Sequence, residues 1–251
     1  MTAREELRQT GAAMRQSLGL DDDLGLELSP GLASLTDEVV FGRVWSRPGL
    51  GLEDRMLATL AALTSRQYLS QLAELVGAAL HIGLDPRLIQ EVMLHCAMYA
   101  GFPTAVNSLK VVSTVLDKQG IAQPEAALSE ADLDELAKMG QQTMQALHGE
   151  RSEEGYAAPE AAASGIYATA IDYLYGEVWN RPGISHRQRM ICSIASFTAM
   201  RLEQQQRKFF RSALNVGLSR TEILEIIAQT APYTGFPQAF NALAIAEEVL
   251  P

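Results

Sequence analysis

Apolar residues recur along this chain at helical spacing and almost nowhere at the two-residue alternation of strands. In "LEDRMLATLAALTS" (52–65), Met56, Leu57, Leu60, Ala61 and Leu63 fall at helical spacing. "DPRLIQEVMLHCAMYA" (85–100) opens with Asp85 as an N-cap and Pro86 at the first helical position, where a missing N–H costs nothing. "SRTEILEIIAQTA" (219–231) opens with Ser219 and Glu222 at capping-box spacing. Gly83 and Gly217 follow apolar helical runs and suit left-handed caps. The pattern predicts an all-α fold.

The same pattern occurs twice. Residues 41–116 and 175–250 align without a gap, and about a third of the positions are identical. "FGRVWSRPG" (41–49) returns as "YGEVWNRPG" (175–183), and "YAGFPTAVNSL" (99–109) as "YTGFPQAFNAL" (233–243). Such a repeat implies two structural units. A related opening helix precedes each, "GAAMRQSLG" (11–19) and "GQQTMQALHG" (140–149). Residues 1–116 therefore form a first unit, 117–128 a linker with weak apolar periodicity, and 129–251 a second unit. The irregular "GERSEEGYAAPE" (149–160) reads as a surface loop. Arg-Pro-Gly (47–49, 181–183) forces an extended turn, and Gly-Phe-Pro (101–103, 235–237) ends one helix and starts the next. Trp45 and Trp179 are expected as buried anchors whose indole N–H needs a partner.

Composition narrows the function classes. Hydrophobic residues make up 47% and charged residues 20%, which is globular rather than disordered. Twenty basic against thirty acidic residues give a formal charge of −10, which disfavours nucleic acid and anionic membrane surfaces. No apolar run approaches the roughly 20 residues that span a bilayer, and the charged N-terminus lacks a signal-peptide core. A cytoplasmic location is expected. Cys96 and Cys192 are not equivalent in the repeat and read as buried small apolar residues. No metal-ligand spacing, phosphate loop or Ser-His-Asp pattern is present.

"GEVWNRPG", "RQRMICSIASFTAM", "ALNVGLSRTEILEII" and "YTGFPQAFNA", in that order, resemble the carboxymuconolactone decarboxylase family, as does the opening Arg15–Gly19. The likeness covers nearly the whole chain, once per copy. It implies an alkylhydroperoxidase-like helical unit that assembles into rings built from dimers. A tandem chain would supply an intramolecular pseudo-dimer, and three chains would imitate a six-unit ring. One branch of the family is a thiol peroxidase whose cysteine pair attacks and resolves. Its two cysteines, histidine and glutamate fall here on Tyr68, Gln71, Leu75 and Met56, and on Leu202, Gln205, Phe209 and Met190, so that mechanism is excluded. The other branch decarboxylates a carboxylated γ-lactone without metal or organic cofactor. That reaction needs an oriented carboxylate, donors for the enolate oxygen and a positioned acid. The histidine usual in that branch is replaced by Leu75 and Phe209.

The surviving polar groups set the site hypothesis. His95 lies four residues before Tyr99, on one helical face, and its counterpart is Gln229, followed by Tyr233. Two readings stand for His95: the acid or base of one working pocket per pseudo-dimer, or a core histidine bonded to backbone. Arg55 and Arg189 either bind a substrate carboxylate or pair with Glu91 and Glu225. Gln71 and Gln205, at the resolving-cysteine position, are expected in the pocket, with Trp45 and Asn107 as further substrate contacts. Arg43 against Glu177 is a charge reversal between the copies. His81, His148 and His186 are expected at the surface. The expected function is lyase or isomerase chemistry on a carboxylated or enolisable lactone or ring compound; a non-catalytic ligand-binding or assembly role is the alternative.

Overall fold

A computed structural model describes residues 2–20, 29–125, 129–150 and 164–251. Among the described residues every regular element is helical. Helix α1 (Ala3–Ser17) precedes α2 (Leu32–Leu35), which runs on into a π-helical stretch (Thr36–Trp45). Then come α3 (Leu52–Arg66), α4 (Leu69–His81), α5 (Pro86–Ala100) and α6 (Phe102–Gln119). The second unit repeats the order: α7 (Leu133–His148), α8 (Ser164–Thr169), a π-helical stretch (Ala170–Glu177), a 3-10 turn (Val178–Asn180), α9 (His186–Met200), α10 (Glu203–Ala213), α11 (Arg220–Thr234) and α12 (Phe236–Val249). Helix α6 runs to Gln119, three residues into the expected linker, while 126–128 of that linker and 151–160 of the expected loop lie outside the described residues.

The caps form where the side chains dictate. Asp85 accepts from the Arg87 N–H, Ser219 and Glu222 complete a capping box, and Gly83 and Gly217 adopt φ of 90° and 85°. Sequence periodicity does not reveal the π-helical stretches. There the bonds reach one residue further, as from Ser46 N–H to Phe41 C=O at 3.1 Å. Each π stretch packs against its unit's opening helix through glycines. A Cβ on Gly11 would overlap the Asp37 carbonyl, and one on Gly140 the Ile171 carbonyl. Gly42 and Gly176 approach Leu7 and Leu136 in the same way, so the two opening helices correspond with His148 at the place of Gly19.

Helices α3 and α9 cross at the centre of the molecule, and α5 and α11 flank both. Residues 55–64 of α3 and 189–199 of α9 are buried throughout, as expected of a helix apolar on all faces. The hydroxyls of Thr59, Ser193 and Thr198 are accommodated by bonding back to carbonyls four residues earlier, at 2.8, 3.0 and 2.8 Å. Both cysteines are fully buried, and burial pushes the Cys96 thiol up to about 11.

The two copies are joined by crossed polar contacts. Arg47 and Arg55 of the first unit grip Glu225 of the second at 2.6 and 3.0 Å. Arg181 and Arg189 of the second grip Glu91 of the first at 2.9 and 3.2 Å. The Trp45 indole donates to Tyr233 Oη at 2.7 Å, and the Trp179 indole to Tyr99 Oη at 3.1 Å. Each tryptophan is buried and spends its single donor on the opposite unit.

Glu225 gives this interface an acid-sensitive component. Burial pushes its carboxyl up, but Arg47 and Arg55 outweigh burial and hold it below its ordinary 4.5. The unfolded chain therefore takes the proton first, so stability from this pair is complete above pH 4.5 and is lost as pH falls through the lowered folded value. Glu225→Gln leaves Arg55 buried without its counter-charge and is expected to cost about 3–5 kcal/mol at neutral pH. Its melting temperature should fall less steeply than the wild type's on acidification below 4.5. Thermal melts across pH check this, and parallel profiles would remove Glu225 as the sensitive group.

Candidate functional site

The pseudo-two-fold axis relates two polar chains, and the residue at one position makes them different. In one chain Gln229 uses both ends of its amide. Its Nε2 donates to Thr59 Oγ1 at 3.1 Å, and its Oε1 accepts from Arg55 Nη1 at 3.0 Å. In the other chain His95 stands at that place. Its Nε2 lies 2.9 Å from Ser193 Oγ, the counterpart of Thr59, but its Nδ1 and the Nε and Nη1 of Arg189 are buried without hydrogen-bond partners. An imidazole is too short and too rigid to reproduce both amide contacts. His95 is fully buried, and burial together with the Arg189 charge holds it well below its ordinary 6.5. It is a neutral imidazole at physiological pH.

On the His95 side, a cavity of about 440 Å³ opens between α7, the second π stretch and α10. Met144, Ala170, Leu174 and Phe209 make its apolar wall. Tyr99, Tyr167, Tyr175, Gln204, Gln205 and Lys208 supply polar groups. Tyr99 comes from the first unit and the other lining residues from the second, so the cavity is shared between them. His95 reaches it indirectly: its ring packs edge-on to Tyr99 and Trp179, both at 5.2 Å, and Ser193 Oγ lies 3.4 Å from Tyr99 Oη.

The phenols of this cavity stay protonated. Burial raises Tyr99 above its ordinary 10, although hydrogen bonds from Ser193 and Trp179 oppose it. Burial raises Tyr175 well above 10, and the neighbouring Tyr99 and Tyr167 add to it as like charges. Burial also raises Tyr167. Neutral phenols beside a lysine in a largely apolar hollow are suited to a small acid or carbonyl compound in which negative charge moves onto oxygen.

Several sequence expectations need correction. His148, expected at the surface, is buried, with Nδ1 2.7 Å from Ser212 Oγ and Nε2 3.1 Å from Tyr175 Oη. The apolar face of α7 turns it inward against Phe209, with ring centroids 5.0 Å apart. His186 is the first residue of α9, half-buried against Trp179 rather than out in a loop, while His81 is exposed as expected. Of the two readings of Arg55 and Arg189, the ion pair holds, since both are buried against Glu225 and Glu91 and neither lines the cavity. Asn107 is exposed on α6 and donates to Gln67 Oε1 at 2.9 Å, bracing the residue that closes α3 in a left-handed conformation. Gln205 lines the cavity, whereas its counterpart Gln71 is exposed on α4. Trp45, Tyr233 and Gln229 belong to the opposite half, away from this cavity.

Tyr167, Tyr175, Ser212 and Lys208 were not singled out in the sequence and His148 was expected at the surface, yet a signal existed. Their counterparts in the first unit are Ala33, Phe41, Gly19, Ala78 and Glu74, so a polar or basic group appears in the second unit each time. The differences between the copies mark the cavity better than their identities do.

The carboxymuconolactone decarboxylase family model matches residues 30–114 and again 165–248. The chain belongs to the carboxymuconolactone decarboxylase family. Among its relatives, a 4-carboxymuconolactone decarboxylase of Acinetobacter baylyi is 35% identical over 77 residues, or 31% of this chain and 58% of the relative. The chain thus spans little more than half of that relative's length. A nitrosuccinic acid decarboxylase of Metarhizium robertsii is 31% identical over 100 residues, covering 38% of this chain and 69% of the relative. The crystal structure of a candidate gamma-carboxymuconolactone decarboxylase subunit from Burkholderia xenovorans LB400 superposes with a TM-score of 0.58. It covers 98% of this chain and 97% of its own at 17% identity, a likeness of fold. The two family matches fit the two tandem helical units.

The unpaired Nε and Nη1 of Arg189 predict a stability effect. His95→Gln copies Gln229 and offers Arg189 Nη1 the acceptor that Arg55 Nη1 already has. The variant is expected to gain about 1 kcal/mol in urea unfolding, the size of a restored buried hydrogen bond. A less stable variant would show that the imidazole is not the source of the deficit.

Proposed function

We propose that the chain is a decarboxylase-like lyase acting at the Tyr99–Lys208 cavity on a carboxylated, enolisable lactone or ring compound. The observation that carries this reading is the convergence of three protonated phenols and a lysine on one hollow in a decarboxylase-family fold. Lys208 and Gln205 orient the substrate carboxylate. Loss of CO₂ leaves the bonding electron pair on the ring, delocalised onto the lactone carbonyl oxygen. Tyr99 donates its O–H to that oxygen. Its own oxygen already accepts the Trp179 N–H, which stabilises any charge it acquires. The ring carbon then takes one proton, replaced from solvent, and His95 holds Ser193 in place beside Tyr99.

A second reading, a ligand-binding member without turnover, is favoured by Phe209, which lines the cavity where decarboxylases of the family usually carry histidine. One experiment separates the two. Purified protein is incubated with γ-carboxymuconolactone and related carboxylated lactones, and CO₂ release and binding are both measured. The lyase reading expects release, with a loss of about 10²-fold or more in kcat for Tyr99→Phe. Tight binding without release would favour the second reading.

Exposed apolar residues support the expected self-association. Phe102 and Val106 on α6, and their counterparts Phe236 and Phe240 on α12, are exposed on corresponding faces. Paired apolar faces of this kind suit self-association, and a ring of three pseudo-dimers is the proposed form. Sedimentation equilibrium should give three times the 27.3 kDa chain mass, and Phe102→Glu with Phe240→Glu should return the chain to monomer. A wild-type monomer at micromolar concentration would overturn it.

A further inference from the structure

We infer that Tyr175, backed by His148 and Ser212, is a second proton-transfer group of the cavity, acting as its base, and that the cavity therefore enolises ring substrates which carry no carboxylate. This rests on the reading of the cavity as a proton-transfer site but adds an activity to it.

Ser212 lies within α10 and donates its hydroxyl proton to the Lys208 carbonyl at 3.0 Å. Its Oγ then accepts the Nδ1–H of His148 at 2.7 Å. A neutral imidazole protonated at Nδ1 has its lone pair at Nε2, and that atom faces Tyr175 Oη at 3.1 Å. The Tyr175 proton is therefore directed at His148. Tyr99 is arranged the other way, because its oxygen accepts the indole N–H of Trp179, leaving its own proton to donate. Two phenols of one cavity thus carry opposite hydrogen-bond polarity, one set to release a proton and the other to take one up.

The pairing is specific to this half of the molecule. Tyr175, His148 and Ser212 stand where the first unit has Phe41, Gly19 and Ala78. The first unit shows that the fold is built without any of the three, and Tyr175 and Phe209 line the cavity with the His148 ring packed against both.

The step balances without a co-reactant. A proton leaves the ring carbon next to the carbonyl for Tyr175 Oη as the Tyr175 proton passes to His148 Nε2. The C–H electron pair becomes the enolate, whose oxygen meets the Tyr99 O–H. Return of the proton to the same carbon exchanges it with solvent, and return to the far end of the enolate moves the double bond. The substrate class is an enolisable five-membered lactone or cyclic ketone.

The test uses α-angelica lactone, an enol lactone with acidic ring C–H bonds beside its carbonyl and no carboxylate, in deuterated buffer. Deuterium uptake is followed by proton NMR and the conjugated isomer by ultraviolet absorbance. Wild type should accelerate exchange over buffer. Tyr175→Phe, which copies Phe41, should lower the saturated rate by at least about tenfold with KM changed by less than about threefold. His148→Gln should do the same, and Ser212→Ala, which copies Ala78, should give a smaller loss. Unfolding curves check that Tyr175→Phe is folded, and this variant tests the proposal independently of the buried histidine variant. No exchange by wild type, or exchange unchanged in Tyr175→Phe, overturns the proposal. Exchange without CO₂ release from carboxylated lactones upholds this base while overturning the lyase reading. CO₂ release that persists in a Tyr175→Phe protein lacking exchange upholds both.

Discussion

Two buried glutamates, each held by two arginines from the opposite repeat, are the constraint on which the rest of this structure depends. Glu91 and Glu225 lie on the flanking helices α5 and α11, and their arginines lie on or just before the central helices α9 and α3. A buried carboxylate without its cations would be too costly to keep, so the two units must meet in this register or not at all. Once they do, each tryptophan is placed against the other unit's tyrosine, and Tyr99 is carried into a cavity otherwise made by the second unit. The ionic network is therefore a positioning device as well as a structural one.

Symmetry in the scaffold makes the asymmetry of the site informative. The arginine-glutamate pairs, the indole-phenol bonds and the left-handed closures of α3 and α9 all occur twice. Against that background, the side of the pseudo-two-fold axis that holds the cavity departs from the other in having His95 instead of Gln229, Tyr175 instead of Phe41, His148 instead of Gly19 and Lys208 instead of Glu74. At one of these positions the departure leaves guanidinium N–H groups unpaired in the core. Such a deficit is the kind of local cost that folds keep where a side chain has work to do.

Of the residues that the sequence offered for a site, some line the cavity and others are taken up by the interface. Tyr99 and Gln205 line the cavity, and the His95–Gln229 difference marks its side of the molecule. Arg55, Arg189 and Asn107 looked equally suitable because shared polar residues near a turn can serve a ligand or an interface alike. The distinction depends on which charged group lies opposite, and Glu225 and Glu91 are 170 and 98 residues away in the chain. His148 was misplaced for a related reason: its burial is completed by the packing of α7 against α10, where Phe209 meets its ring.

What the sequence determined by itself is the set of local and repeated features: helices, caps, turns, the duplication and the family. These depend on spacing along the chain, on proline and glycine geometry and on capping side chains, all within a few residues of one another. Only the tertiary structure decided which groups share a space. The crossing of the two units, the buried state of His148 and the meeting of Tyr99 with Tyr175 arise from long-range packing, in which a side chain's neighbours come from distant segments and its chemistry is set by them.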